Sequence, residues 1–284
     1  MQTIKKGSYV CEKFASVYEF INTLERRQPN KVFADFELSS ERVDDERWSG
    51  TRTWDESVTI FRNGYHEGME RLNRGMATMV DETPKPRTVI SVVGGVCHIP
   101  NFVKGYPKDM KYRKRTRHEV PVINIYYDRG ASSDVSSDEL SRASHLVLVA
   151  VRHIEAHGIR VGLNVLDISC THHQTVCPVV NIKGSHDPLN PLKVAYPLVH
   201  TSFFRRQTFR WLETSPVVTD SSFHSGYGYP FSSMVSKLDE RRNRLIEHGI
   251  IGTKDVYIDQ KFMSGIQTGE QLVDYIEETI HSHN

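Results

Sequence analysis

The stretch VPVINIYYD, residues 120–128, predicts a buried β-strand, because β-branched and aromatic residues dominate it. It ends in Asp128 and is followed by the turn-forming stretch RGASSDVSS. Ser136 and Glu139 then have the spacing of a helix capping box. The next residues give a broad apolar helical face as far as Ile154, and Gly158 stands where a helix commonly stops. A strand followed by a long helix indicates an α/β fold.

The residues downstream continue this alternation. Two strands are predicted at 159–169 and 176–182, and the short polar segment between them favours an antiparallel hairpin. Further strands are predicted at 216–218 and 256–258, and helices at 191–199, 202–212, 233–248 and 268–280. The pattern predicts a Rossmann-like, mainly parallel sheet with one antiparallel edge strand.

Upstream of this domain, residues 1–80 read as a helical region. Ser16 and the Thr53/Glu56 pair are spaced as helix N-caps, and Asn63-Gly64 interrupts the second helix. Residues 81–119 follow as a linker at 81–87, a strand at 88–96 and a basic loop. The predicted organisation is therefore 1–80, 81–119 and an α/β domain at 120–284.

The composition is that of a soluble globular protein. Among 284 residues, 36 Lys and Arg against 35 Asp and Glu give a net charge of +1, and 38% are hydrophobic. Four scattered cysteines do not make a disulfide framework, so a cytoplasmic location is expected. No apolar run approaches the length of a membrane span, and we expect no membrane partner.

From residue 120 onward, the element order resembles that of a von Willebrand factor A-like domain. In that family an Asp-x-Ser-x-Ser motif after the first strand begins a metal-ion-dependent adhesion site. The corresponding residues here are Asp128-Arg129-Gly130-Ala131-Ser132, so glycine replaces the first serine. The resemblance implies a degenerate site for Mg²⁺ or Mn²⁺ that uses Asp128, Ser132, Thr201 and Asp220.

The whole chain also resembles a family of phage and prophage proteins with no assigned activity. The resemblance implies a viral or mobile-element origin. It rests on Trp48-Ser49-Gly50-Thr51, Asn63-Gly64, Ile99-Pro100, Gly105-Tyr106-Pro107-Lys108-Asp109-Met110 and His200 before Phe203-Phe204-Arg205-Arg206.

Soft metal ligands crowd the segment CTHHQTVC, residues 170–177. Cys170, His172 and Cys177 are candidate zinc ligands, since zinc accepts thiolate and imidazole. Paired zinc-ligand spacing is absent, however, and two cysteines that face each other across a hairpin also fit as small buried residues.

The basic loop carries Lys108, Lys111, Arg113, Lys114, Arg115 and Arg117, interleaved with Tyr106 and Tyr112. Basic groups beside aromatic rings suit contact with the phosphates and bases of a nucleic acid. The same loop fits an acidic protein partner equally well, and charge runs are commonly solvated faces.

Another basic group lies near residue 200. His200, Arg205, Arg206 and Arg210 surround one predicted helix start, where arginines can hold an anion. Pairing with internal acids such as Glu213 is the favoured interpretation. No nucleophile, zinc-protease or kinase motif is present in the sequence.

These observations predict a non-catalytic protein-binding or assembly module that acts through the Asp128 rim and the basic loop. The alternatives are a nucleic-acid-binding protein that acts through residues 104–117 and a divalent-metal-dependent enzyme centred on Asp128.

Overall fold

The computed structural model of the chain describes residues 1–43, 46–76, 88–113, 121–130 and 135–281. The strands are β1 (Gln2–Lys6), β2 (Tyr9–Phe14), β3 (Thr88–Ser91), β4 (Val96–Cys97), β5 (Met110–Arg113), β6 (Val122–Asp128), β7 (Arg160–Leu166), β8 (Ser169–Cys170), β9 (Thr175–Lys183), β10 (Tyr229–Pro230) and β11 (Val256–Asp259).

The α-helices are α1 (Val17–Arg26), α2 (Glu46–Ser49), α3 (Trp54–Asn63), α4 (His66–Met76), α5 (Ile99–Val103), α6 (Ser137–Ala156), α7 (Pro191–Val199), α8 (Phe209–Thr214), α9 (Phe231–Met234), α10 (Leu238–Glu247), α11 (Gln260–Gly265) and α12 (Gly269–His281). A π-helix, Phe203–Thr208, directly precedes α8, and a 3-10 helix, Ser221–His224, follows it.

The central sheet has the main strand order β1-β2-β9-β7-β6-β11. The pairs β2/β9, β7/β6 and β6/β11 are parallel, whereas β1/β2 and β9/β7 are antiparallel. Short strands β8 and β10 extend from β9. A second, antiparallel sheet has the order β3-β5-β4. The prediction of an α/β fold with a mainly parallel sheet is thus confirmed.

Helices cover both faces of the central sheet. One core lies between the sheet and α1, α6, α7 and α12, and a smaller core lies against α9 and α10. Along β6, Ile125 and Tyr127 enter the first core while Tyr126 enters the second. This alternation follows from the period of two residues in a strand, and it explains why β6 is apolar throughout.

The predicted hairpin forms, but its place in the sheet was wrong. Strands β7 and β9 pair antiparallel, as expected from the short polar segment between them. However, β9 is an interior strand, because β2 pairs with its other side. The antiparallel edge strand is β1.

The N-terminal region is not helical throughout, which corrects the prediction for residues 1–80. Residues 2–14 form β1 and β2, joined by a tight turn at Gly7 with φ +61°. The helical predictions beyond them hold: Ser16 caps α1, and Thr53 Oγ1 accepts a hydrogen bond from Glu56 N at the start of α3. The local sequence pattern did not predict these strands, because their burial depends on pairing with β9, which is distant in the sequence.

The middle segment differs from the predicted strand and loop. The strand expected at 88–96 is two shorter strands, β3 and β4, and β5 lies inside the expected basic loop. The predicted linker, 81–87, lies outside the described residues.

Helix α6 begins at the predicted capping box, and Gly158 follows its end with φ +88°. Strand β11 and helix α12 also lie where they were predicted. The predicted strand at 216–218 is instead a turn, and the predicted helix at 233–248 is divided between α9 and α10. No helix in the described residues is long and apolar enough to cross a bilayer.

Candidate functional site

Three parallel strands end at the same edge of the central sheet and bring acidic side chains together there. Asp128, the last residue of β6, stands opposite Leu166 of β7 and Asp259 of β11. Asp167 directly follows β7. Ligands of open α/β sheets bind outside this edge, which makes it the first candidate site.

Asp128 is 1% exposed and serves as a hydrogen-bond acceptor within the protein. Its Oδ1 accepts from the backbone N–H of Gly130 at 2.9 Å and of Ile168 at 3.3 Å, and its Oδ2 accepts from the Tyr257 hydroxyl at 2.8 Å. Burial, followed by the charges of Asp167 and Asp259, holds the pKa of Asp128 well above its usual value. The carboxyl group of Asp128 therefore links β6, β7 and β11 through hydrogen bonds near the ends of these strands.

Asp259 is also committed to protein partners. Its Oδ1 accepts a hydrogen bond from Phe262 N at 2.8 Å and caps α11. Its Oδ2 lies 2.5 Å from Arg241 Nε as an ion pair, although the two atoms are not aligned for a hydrogen bond. Both side chains are buried, so the guanidinium supplies the positive charge that this carboxylate requires.

Asp167 accepts a hydrogen bond from a described residue through one of its two oxygens. Its Oδ2 accepts from the Thr208 hydroxyl at 2.6 Å, whereas its Oδ1 accepts no hydrogen bond from any described residue. Burial raises the pKa of Asp167 to about 6, opposed by the Thr208 hydrogen bond and by the charge of Arg129. Asp167 is thus a buried carboxyl group that titrates near neutral pH.

Arg129 provides positive charge beneath this edge. Its side chain is 1% exposed, and Nη1 donates to the backbone carbonyl of Pro197. Its Nε and Nη2 have no hydrogen-bond partner among the described residues. Burial lowers the pKa of Arg129, while the nearby Tyr127 and Asp167 oppose that shift.

Gly130 occupies a position that a larger residue would not fit. A Cβ built on it would lie 2.9 Å from Asp128 Oδ1 and 3.0 Å from Asp167 Oδ1. Two carboxylates therefore converge on the space that a side chain would fill. A serine here, as in the adhesion-site motif, would have to displace at least one of them.

The predicted magnesium or manganese site does not fit these residues. Both oxygens of Asp128 already accept hydrogen bonds, and Gly130 supplies no hydroxyl. Asp220 accepts from Ser222 N and from the Thr171 hydroxyl, and Thr201 is buried beside α7. Among the described residues, no hydrogen bond joins Asp128 to Thr201 or Asp220, and Ser132 lies outside them.

The structure does not bring the predicted zinc ligands together. Cys170 and Cys177 are buried in the smaller core with Cys11, whereas His172 is exposed. Burial raises the pKa of the Cys170 thiol to about 12, and a hydrogen bond with Cys11, followed by burial, raises the pKa of Cys177; neither thiol is in a disulfide. Within the described ranges, no group of three or more His, Cys, Asp or Glu side chains is placed to hold a metal ion.

The arginines near residue 200 are internal, as the favoured interpretation held, but their partners differ from the expected Glu213. Arg210 forms an ion pair with Glu41, and Arg206 donates to backbone carbonyls of the N-terminal region, among them that of Thr51. Glu213 instead accepts from Ser40 N at 3.1 Å.

His200 is a neutral, half-buried side chain. Its Nδ1 accepts a hydrogen bond from Ser202 N at 3.2 Å, and burial lowers its pKa to about 4. The imidazole therefore carries no charge with which to bind an anion near neutral pH.

The basic loop is only partly described. Lys104, Lys108 and Lys111 are exposed to solvent. The predicted contacts Lys114, Arg115 and Arg117, and the side chain of Arg113, lie outside the described part of the chain. The nucleic-acid prediction for this loop stays a prediction.

Sequence reasoning missed an apolar surface on the small second sheet. We call the exposed side chains of residues 89–111 the apolar–basic surface; its large apolar side chains are 38–77% exposed, and Lys104, Lys108 and Lys111 of the same segment are exposed as well. The apolar side chains are Val89, Ile90, Val92, Val93, Val96, Ile99, Phe102, Val103 and Tyr106. The sequence did contain a signal for this surface, in the two short stretches VVGGV and IPNFV, which are rich in apolar residues.

A family model described as "Domain of unknown function (DUF7192)" matches residues 2–281 of the chain. No curated protein and no solved structure matches the chain.

Proposed function

We propose that this chain, which belongs to the DUF7192 family, is a non-catalytic assembly module that binds a second copy of itself through the apolar–basic surface. The observation that carries the proposal is the exposure of nine large apolar side chains within residues 89–106. Apolar patches of this extent commonly mark interaction sites on soluble proteins.

The second sheet needs an apolar cover. Strands β3, β4 and β5 have two to four residues each, and none of the residues 89–111 is buried. Small sheets without a covered hydrophobic face are marginally stable in water. Binding of another protein surface would supply the burial that the described residues do not.

The exposed apolar area and the unpaired edges of β3 and β4 favour a second copy of the chain as the partner. A standard interface buries about 800 Å² on each side, and the exposed apolar side chains of residues 89–106 would supply part of that area. In the described structure, β3 and β4 each pair only with β5. Each therefore has an unpaired edge that can extend the sheet across a two-fold axis.

The exposed side chains of residues 89–106 are mainly apolar, which favours assembly as the first proposal. The described part of this surface has three lysines beside nine large apolar side chains, and Asp109 lies among the lysines. Lysines at the rim of an apolar interface remain solvated. The basic residues at 113–117 lie outside the described side chains, so nucleic-acid binding is the alternative that the experiment must distinguish.

Sedimentation velocity over a range of protein concentrations tests the proposal. The wild-type chain should form a dimer, and Val93→Asp and Phe102→Asp should each shift it to monomer, because a buried carboxylate opposes association. Tyr18→Asp is the matched control, since Tyr18 is 64% exposed on α1 and Phe102 is 63% exposed.

A chain that stays monomeric at about 100 μM in low and high salt overturns self-association. Binding of a labelled DNA or RNA 20-mer by such a monomer, with a steep loss of affinity as salt increases, would instead establish the nucleic-acid alternative. Dimers that persist in both aspartate variants would also overturn the assignment to this surface.

The finer fold assignment is a proposal too: the core is von Willebrand A-like. The strand order β9-β7-β6-β11, with β9 antiparallel and Asp128 at the end of β6, supports it. Superposition of an experimental structure on von Willebrand A domains would test the assignment.

A further inference from the structure

Two cavities adjoin at the carboxyl ends of the parallel strands, and both are lined by Gly130 and Pro230. The first, of about 330 Å³, we call the aromatic cavity; its wall includes Trp48, Phe209 and Tyr229. The second, of about 440 Å³, we call the hydroxyl cavity, because four of its described lining residues are serines. Each has the size of a small-molecule site.

The hydroxyl cavity lies where the chain reverses direction across the sheet. From β6 the chain passes through α6 to β7 on one side, whereas β11 lies on the other side of β6. Gly130 follows β6, Gln260 follows β11, and both residues line this cavity. In open parallel sheets the crevice at such a reversal is the usual ligand site.

The aromatic cavity offers flat aromatic walls, and Asp167 is the carboxylate among its described lining residues. Phe209 stacks on Tyr227 with ring centres 4.6 Å apart and an angle of 12°, which fixes the wall before any ligand binds. Asp167 lines the same cavity and keeps Oδ1 without a hydrogen bond from a described residue. A planar ring that carries N–H donors satisfies both features.

Arg205 argues against a cationic ligand in the aromatic cavity. Its guanidinium lies 4.7 Å from the centre of the Trp48 ring and forms no ion pair with a described residue. A second cation placed beside it would be repelled in this buried setting. A neutral heteroaromatic ring avoids that cost.

The hydroxyl cavity suits a phosphate. Ser232, Ser233 and Ser236 line it with hydroxyl groups, and Lys261 supplies positive charge. Arg142 adds a second positive charge, although its guanidinium already donates to the carbonyls of Met263 and Ile266. Glu139, the acid among the described lining residues, already accepts from the N–H and the hydroxyl of Ser136 at the start of α6. Its charge is therefore partly compensated before a phosphate enters.

We propose that the two cavities together bind a purine mononucleotide, with the base in the aromatic cavity and the phosphate in the hydroxyl cavity. Guanine is favoured over adenine. Guanine has two adjacent N–H donors on one edge, and both can donate to the Asp167 carboxylate. Adenine has one amino group beside a ring nitrogen that accepts, and that nitrogen would face the carboxylate oxygen unfavourably. This inference does not depend on self-assembly.

Isothermal titration near neutral pH tests the site with guanosine monophosphate, guanosine, adenosine monophosphate and inorganic phosphate. Guanosine monophosphate should bind most tightly. Lys261→Ala should weaken it about tenfold and leave guanosine unchanged, because one charged phosphate contact is lost. Lys254→Ala is the control, since this exposed lysine precedes β11 at its other end.

Asp167→Asn should remove the preference for guanine over adenine while the thermal midpoint reports that the protein remains folded. The proposal is overturned if none of the four compounds binds at about 1 mM, the affinity range of weak ligands. It is also overturned if phosphate alone binds as tightly as the nucleotide, or if Lys261→Ala and Lys254→Ala have equal effects.

Discussion

At Gly130, two carboxylate oxygens lie about 3 Å from the position that a Cβ would occupy. Glycine is therefore required at this position, because the two carboxyl groups lie too close to the backbone for a side chain to fit. Glycine at this position goes together with an Asp128 carboxyl group that accepts hydrogen bonds from backbone and side-chain donors.

Gly130→Ser should lower the free energy of unfolding by roughly 1–3 kcal/mol, the usual cost of overpacking a close-packed site. Urea denaturation measures the change. Gly95→Ser is the control, since a Cβ at Gly95 meets no atom within 4 Å. Equal stability of the two variants would mean that the carboxylates move aside freely.

Asp167 should make stability fall as pH rises. Its pKa of about 6 in the folded protein exceeds the usual 3.8, so the native state binds the proton more tightly than the unfolded state. The stabilisation is complete below about pH 4 and is lost as pH rises through about 6, a difference of roughly 3 kcal/mol for a shift of two pKa units.

Urea denaturation of wild type and Asp167→Asn from pH 4 to pH 7 measures this effect. The stability of the wild type relative to the variant should decline across that interval. The exposed residue Asp274 provides the control variant Asp274→Asn, which removes a carboxylate from the surface. A constant difference between wild type and Asp167→Asn would contradict the raised pKa.

At the scale of elements, the π-helix joins the N-terminal region to the core. It carries the fully buried Arg206, whose Nη1 donates to the carbonyls of Ser39, Ser40 and Arg42. Its Nη2 donates to the carbonyls of Thr51 and Arg52. Irregular backbone around residues 39–52 is therefore satisfied by one guanidinium, in a region where few backbone groups pair with each other.

Arg206→Ala should lower the free energy of unfolding by about 3 kcal/mol or more, because several buried carbonyl groups would lose their donor together. Arg244→Ala is the matched control: Arg244 forms an exposed pair with Glu240 on α10, and such pairs contribute little. Thermal and urea denaturation distinguish the two. A loss below about 0.5 kcal/mol for Arg206→Ala would mean that water replaces the guanidinium.

At the scale of the whole molecule, the central sheet combines segments from both ends of the chain. Tyr9–Phe14 of β2 pair in parallel with residues 175–180 of β9. Phe20 of α1 packs against Phe203 with ring centres 5.8 Å apart. The N-terminal segment is thus part of the same core as the domain predicted at 120–284.

Residues 120–284 expressed alone should fail to fold cooperatively, because loss of β2 exposes the edge of β9 and part of the main core. Replacing residues 88–111 of the full chain by a Gly/Ser linker of equal length should preserve a cooperative melt, since residues 89–111 include no buried side chain. Circular dichroism during heating compares the two. A cooperative melt of 120–284 would show that the N-terminal strands are dispensable.

The sequence by itself determined the local features: the strand at residues 122–128, the capped helices α1, α3, α6 and α12, and the short hairpin. These follow from side-chain period, capping and connection length, which act over a few neighbouring residues. The aspartate at the end of β6 was predicted for the same reason.

Only the tertiary structure decided which segments meet. It placed β2 beside β9, buried Cys170 and Cys177 while leaving His172 in solvent, and surrounded Arg206 with carbonyls. It also brought Asp167 and Gly130 together and left the apolar–basic surface open. Strand pairing, burial and charge compensation depend on contacts between residues far apart in the chain, and no local pattern specifies those partners.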